Sequence, residues 1–210
     1  MKPLTRPQYD GSENEMNHSL WLLISGSLVL VVPGVWVQRR ARHEFEKHDR
    51  LSTQTFVVLF VALVGHAGIT LLAAWNSMWP LPIDRRIGLL TGGVAAAVGA
   101  TVYVAARVQF RSFRLTWGLD SSRLVTSGIY RLSRNPQTVG AVLFWTGTAL
   151  LGGSGVALLL VTLLCLALLV WLPVEEQILE RKFGQDYRHY RKGTPRFLGL
   201  PRRQASHMDA

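Results

Sequence analysis

Residues Val139–Val174, VGAVLFWTGTALLGGSGVALLLVTLLCLALLVWLPV, are apolar almost without a break, and a polar motif stands against each end of them. SGIYRLSRNPQTVG (Ser127–Gly140) leads in, and EEQILERKFGQDYRHYRKGTPRF (Glu175–Phe197) leads out. A helix crosses a hydrocarbon core of about 30 Å with about 20 apolar residues. The 35 residues from Val139 to Pro173 are therefore too many for one span and suit two short ones. Gly152, Gly153, Ser154 and Gly155 are small turn residues falling together, and they place the break. A hairpin turning there brings both polar motifs out on the same side of the bilayer, where they can form a site.

Working outward, Leu20–Val37, Phe56–Trp75 and Ile87–Ala106 are further runs long enough to span. Backbone groups in lipid must be bonded within the segment, which selects helices for an open chain. The predicted fold is an all-α polytopic membrane protein with five transmembrane helices, the last two a hairpin, plus short cytoplasmic C-terminal helices. Composition agrees: of 210 residues, 49% are hydrophobic and only 17% charged. The expected divisions are 1–17, a disordered external lead; 18–114, three membrane helices with a basic cytoplasmic loop; 115–198, the core holding both motifs; and 199–210, a flexible tail. The lead lacks a basic start followed by a cleavage site, so it does not read as a signal peptide.

Basic residues mark the cytoplasmic side. Five lie between Gln38 and Thr55, six between Arg107 and Arg134 and eight after Glu180, against Lys2, Arg6, Arg85 and Arg86 elsewhere. This split follows the alternation that five spans impose, with the N-terminus outside and the C-terminus cytoplasmic. The net charge of +10 then reads as topology and as attraction to anionic membrane lipids, not as nucleic-acid binding. The one cysteine, Cys165, lies mid-span and implies no disulfide.

Several other features have bland readings that compete with functional ones. Pro33 should kink the first span. His43, Glu44 and His48 resemble a zinc motif, but metal-binding helical pairs need histidines four apart, and these are five apart, so a solvated interfacial helix is expected. His66, within the second span, reads as a neutral imidazole bonded to a neighbouring helix, although an ionisable residue there is also a functional candidate. Gly92, Ala96 and Ala100 form a stripe suited to close helix packing, and Asp84 is the start signal of that helix. Arg107, Arg111 and Arg114, interleaved with Phe110, Phe113 and Trp117, could cradle an anion or anchor the chain at the headgroups.

The motifs themselves carry chemistry. Pro136 suits the first turn of a helix, which sets Arg134 and Asn135 beside free backbone donors and favours an anion such as a carboxylate. A capped helix with arginine at the headgroups is the structural alternative. Pro173 marks the end of the fifth span, and Glu175 and Glu176 follow at once. Paired carboxylates near hydrocarbon must meet cations, either Arg131 and Arg134 across the hairpin base or the cationic part of a ligand. Ile178, Leu179 and Phe183 then make the apolar face of a short helix that Gly184 can end. Tyr187 and Tyr190 share a face of a second, closed by Gly193 and Pro195.

Together, LVTSGIYRLSRNPQTVG, the hairpin and EEQILERKFGQDYRHYRKGTPRFL resemble the isoprenylcysteine carboxyl methyltransferase family and its relatives among phospholipid N-methyltransferases. The family patterns are of the form GxYRxxRHPxYxG and EExxLxxxFGxxYxxYxxxxPRF, and the match covers about residues 124–198. The resemblance implies an integral membrane enzyme that uses S-adenosylmethionine without a nucleotide-binding sheet domain, and a lipophilic acceptor arriving from the bilayer. By that resemblance Tyr130, Arg134, Asn135, Pro136, Gly140, Glu176, Tyr187 and Tyr190 bind the cofactor, Glu175 and Arg191 serve catalysis, and no metal takes part. Asn135 stands where the family has His, Thr138 where it has Tyr, and Val174 where bacterial members carry Arg. Asn cannot titrate, which removes a base from that position. Phospholipid N-methylation and a non-catalytic membrane protein of the same fold are the alternative readings.

Overall fold

The computed structural model describes residues 11–48, 50–110 and 123–199. They form five α-helices and a 3₁₀ turn: α1 Gly11–His48, α2 Thr53–Trp75, α3 Arg85–Phe110, the turn Gly128–Arg131, α4 Pro136–Gly152 and α5 Gly155–Gly193. The all-helical expectation holds, and α1, α2, α3 and α5 are each long and apolar enough to cross a membrane. The fourth, α4, has 17 residues. The first helix begins at Gly11, so residues 11–17 of the expected lead are helical. The boundary expected at 114/115, with Arg111, Phe113, Arg114 and Trp117, lies outside the described residues.

Local signals fix most helix ends. Asp84 Oδ1 accepts the backbone N–H groups of Arg86 at 2.8 Å and Ile87 at 3.3 Å, which starts α3. Ser52 caps α2 and Ser154 caps α5. Glu44, expected in a solvated face, is instead buried at the start of α2. It accepts Ser52 N–H at 2.8 Å, the Ser52 hydroxyl at 2.7 Å and the Thr55 hydroxyl at 2.8 Å, and it pairs with Arg40 Nε at 2.8 Å. A carboxylate with four such partners ties α1 to α2.

Pro173 does not end the last helix. α5 runs through it to Gly193. A proline removes one backbone bond from a helix interior, but neighbouring helices can supply the missing donor. The carbonyl that Pro173 leaves without its helical donor is Leu169 O; the Gln38 side chain of α1 donates to the next one, Val170 O, at 3.4 Å, and Leu172 and Val174 on either side of the proline are buried. The break falls at Gly184, where φ 54° and ψ −119° leave the helical region. A side chain is strained at that φ, so glycine belongs there.

Packing is dominated by close approach of small residues, the usual source of helix association in lipid. The stripe on α3 runs through Gly92, Ala96, Gly99 and Tyr103 rather than through Ala100. A Cβ built on Gly140 of α4 would meet Tyr103 N at 2.5 Å and Gly99 O at 2.8 Å. α3 thus lies backbone to backbone on α4, which also contacts α2 and α5, while α1 packs on α2 and α5. His66 is buried on α2 and donates Nδ1–H to Gly26 O of α1 at 3.0 Å, the neighbouring-helix bond expected of it.

At the hairpin turn, Gly155 N–H donates to Trp79 O at 2.8 Å and Leu81 N–H to Gly153 O at 2.9 Å. The α2–α3 loop and the α4–α5 turn are therefore one unit at that end. The opposite end of α4 carries the loop motif.

Candidate functional site

Val125 and the 3₁₀ turn lie on the end of α3, with Ala106, Val125 and Tyr130 buried together and Phe110 set edge-on to Tyr130 at 5.5 Å. Burial pushes the Tyr130 hydroxyl well above the usual phenol range, so it keeps its proton while accepting Gln137 Nε2–H at 3.0 Å. Tyr190 stacks on this cluster and donates its hydroxyl to Tyr130 O at 2.7 Å. That bond joins the tail motif to the loop motif.

The chain reverses after Gly193 and lies along residues 132–135. Arg134 N–H donates to Pro195 O at 2.9 Å, Asn135 Nδ2–H to Arg196 O at 3.1 Å and Gly199 N–H to Leu132 O at 3.2 Å. Asn135 is the N-cap position of α4, but its side chain makes no cap bond and is spent on this return segment. Pro136 is fully buried at the first position of α4, as its geometry suits.

An ion cluster occupies the junction. Glu176, 7% exposed, sits between Arg134 and Arg196. Arg196 holds it with both ends of its fork, Nε to Oε1 at 3.1 Å and Nη2 to Oε2, and this bond raises the Arg196 guanidinium further above its usual range. Arg134 Nη1 lies 2.9 Å from Oε1, close enough for an ion pair but not aligned as a hydrogen bond. The Nε and Nη1 groups of Arg134 are consequently buried with no hydrogen-bond acceptor among the described residues. Tyr187, 1% exposed, bonds to Arg134 and has Tyr190 edge-on at 6.2 Å. Two guanidinium groups against one carboxylate leave the cluster with a net charge of +1. A buried guanidinium with an unpartnered Nε fits a planar anion, above all a carboxylate.

The structure thus brings together Tyr130, Arg134, Asn135, Pro136, Glu176, Tyr187 and Tyr190. Three candidates sit differently. Glu175 is exposed by surface area and bonds to Trp171, and the packing around it together with the nearby charge of Glu176 raises its carboxyl to about 7. Arg191 pairs with Glu180 at 2.6 Å, both side chains partly exposed. Gly140 is a packing position against α3. The second cation on Glu176 is Arg196, whereas Arg131, exposed at the end of the 3₁₀ turn, was the expected partner. The signal for Arg196 was present in the sequence as the arginine of TPRF, the end of the tail motif.

Residues 87–186 match the family model described as phospholipid methyltransferase. A Protein-S-isoprenylcysteine O-methyltransferase of Schizosaccharomyces pombe is 38% identical over 84 residues, covering 37% of this chain and 33% of that protein. The chain spans about a third of the length of this curated relative. No solved structure matches it. The matched stretch, from 87 to 186, holds the loop motif, α4 and the paired glutamates.

Proposed function

We propose that the chain is an integral membrane methyltransferase that uses S-adenosylmethionine and acts on a lipophilic acceptor, similar in reaction to the isoprenylcysteine carboxyl methyltransferases. The observation that carries this is Arg134: a buried guanidinium whose Nε has no hydrogen-bond acceptor among the described residues and whose Nη1 lies against a carboxylate, where the two motifs meet. The residues fit an amino-acid end. Arg134 and the α4 N-terminus would hold the cofactor's carboxylate, Glu176 its ammonium, and Tyr130, Tyr187 and Tyr190 would wall the pocket, with Asn135 and Pro136 fixing the loop. S-adenosylmethionine supplies a methyl group already activated on a sulfonium. The remaining task for the protein is to hold a nucleophile in line with it and to exclude water. Glu175, an accessible carboxylate one residue from the cluster, and Arg191 remain the proposed catalytic groups.

The distribution of basic residues supports five spans, with α4 the shortest, the N-terminus outside and both motifs cytoplasmic. A water-soluble cofactor then enters from the cytoplasm and the acceptor from the bilayer. The second reading, phospholipid N-methylation, is favoured by the description of the matching family and by Val174, which leaves no arginine before the paired glutamates to hold a carboxylate acceptor.

Titration of the purified chain in detergent with S-adenosylhomocysteine tests the cofactor reading. Removing one partner of a buried charge pair costs about 2–5 kcal/mol, so Arg134→Ala should weaken binding on the order of 30-fold or more. Equal affinity of Arg134→Ala and the unmodified chain would refute the assignment.

A further inference from the structure

Under the reading above, the cofactor's ammonium belongs on Glu176, yet in the structure both oxygens of that carboxylate are already engaged. Arg196 spans Oε1 and Oε2, and Arg134 Nη1 stands 2.9 Å from Oε1. An incoming ammonium must therefore displace a cation before it can reach Glu176. The two arginines are not equally able to leave. The Arg134 side chain is 11% exposed and bonded to the buried Tyr187, whereas that of Arg196 is 41% exposed. Moreover, the segment carrying Arg196 is fixed through its backbone. Pro195 O accepts Arg134 N–H, Arg196 O accepts Asn135 Nδ2–H, and Gly199 N–H donates to Leu132 O. None of these bonds involves the guanidinium, so it can swing into water while its own backbone stays in place.

We propose that Arg196 is an internal occupant of the ammonium position and sets the specificity of the site for a zwitterion. While the site is empty, it keeps Glu176 from being a buried charge with too little compensation. On binding, the ligand's ammonium replaces the guanidinium on Glu176 as its carboxylate accepts from Arg134 Nε, which is buried without an acceptor among the described residues. A ligand with only the carboxylate leaves Arg196 where it is and gains nothing from Glu176. The apparent affinity for a zwitterion is lowered by the fraction of molecules in which Arg196 holds the position. Arg196 acts here through Glu176, as a positioning residue.

The inference rests on the cofactor reading, and the test separates the two. Dissociation constants are measured by calorimetry for the full chain in detergent with S-adenosylhomocysteine and with its analogue lacking the α-amino group, whose carboxylate remains. Arg196→Gln should tighten S-adenosylhomocysteine roughly three- to fivefold, the upper range of a partly exposed ion pair, and leave the deaminated analogue within about twofold. Arg196→Lys, which keeps a cation but loses the fork, should fall between, and it decides the matter if the Gln variant does not fold. A merely structural role would move both ligands alike. Equal changes for the two ligands, no change, or weaker S-adenosylhomocysteine binding by either variant overturns the proposal. Absence of binding of both ligands to the unmodified chain removes the cofactor reading itself, and this inference with it.

Discussion

Replacing Gly140 with alanine tests whether the α3–α4 contact is what sets the position of the loop motif. A Cβ there would stand 2.5 Å from Tyr103 N, 2.8 Å from Gly99 O and 2.9 Å from Tyr103 Cα. Ordinary contacts of such atoms begin near 3.4 Å, so the two helices must part by close to the difference, about 1 Å. All three obstructing atoms are backbone, and no rotamer change can clear them. Overpacking of this kind costs about 1–3 kcal/mol. At about 2–4 °C per kcal/mol for a chain of this size, Gly140→Ala should lower the melting temperature in detergent by roughly 2–12 °C. Gly34→Ala is the control, since nothing lies within 4 Å of its Cβ position. The displacement would also shift the α4 N-terminus under Arg134, so affinity for S-adenosylhomocysteine should fall along with stability. Melting of Gly140→Ala equal to that of Gly34→Ala would refute the backbone contact. Unchanged melting with lost ligand binding would instead put Gly140 in the wall of the pocket.

Three further outcomes follow from particular contacts. Glu44→Ala leaves the Ser52 N–H and the Thr55 hydroxyl without their charged acceptor, and it should destabilise the chain by about 2–3 kcal/mol; Glu44→Gln, which retains an acceptor oxygen, should lose less, as thermal melting will show. His66 buries Nε2 without a partner among the described residues, so His66→Leu, which removes that orphan along with the bond to Gly26, should leave the melting temperature unchanged or raised, while His66→Ala should lower it by opening a cavity. For the topology, cysteines introduced at Asn76 and Gln185, both exposed, should be labelled by a membrane-impermeant reagent from opposite sides, and labelling from one side only would remove the proposed odd number of spans.

The fold was legible to the extent that its signals are local. Asp84, Pro136 and Gly184 act within one or two turns of themselves, and each does in the structure what its chemistry dictates. Pro173 misled because its effect depends on a distant partner: Gln38, on α1, donates to the carbonyl beside the break in the ladder, and burial of Leu172 and Val174 carries α5 onward. Glu44 misled for a related reason. Read along α1 alone it is an exposed acid beside Arg40, but the α1–α2 loop returns Ser52 and Thr55 to it. The stripe on α3 was right at Gly92 and Ala96 and one position off at its last member, because an i, i+4, i+8 reading drifts around a helix of 3.6 residues per turn and the observed contact follows i, i+4, i+7.

The ion cluster shows why charge alone could not name the partners of Glu176. With 23 basic residues in the chain, attraction to a buried carboxylate selects none of them. The backbone makes the choice. The 3₁₀ turn at Gly128–Arg131 leaves Arg131 exposed, and the bond from Arg134 N–H to Pro195 O then sets Arg134 inward and aligns the return segment so that Arg196 faces the same acid. Asn135 strengthens that alignment by donating to Arg196 O rather than capping α4. The loop and tail motifs are therefore one structural unit, because each supplies hydrogen bonds that orient the arginine of the other. A change at Asn135 should accordingly be felt at Arg196, even though the two side chains share no charge and meet only through a backbone carbonyl.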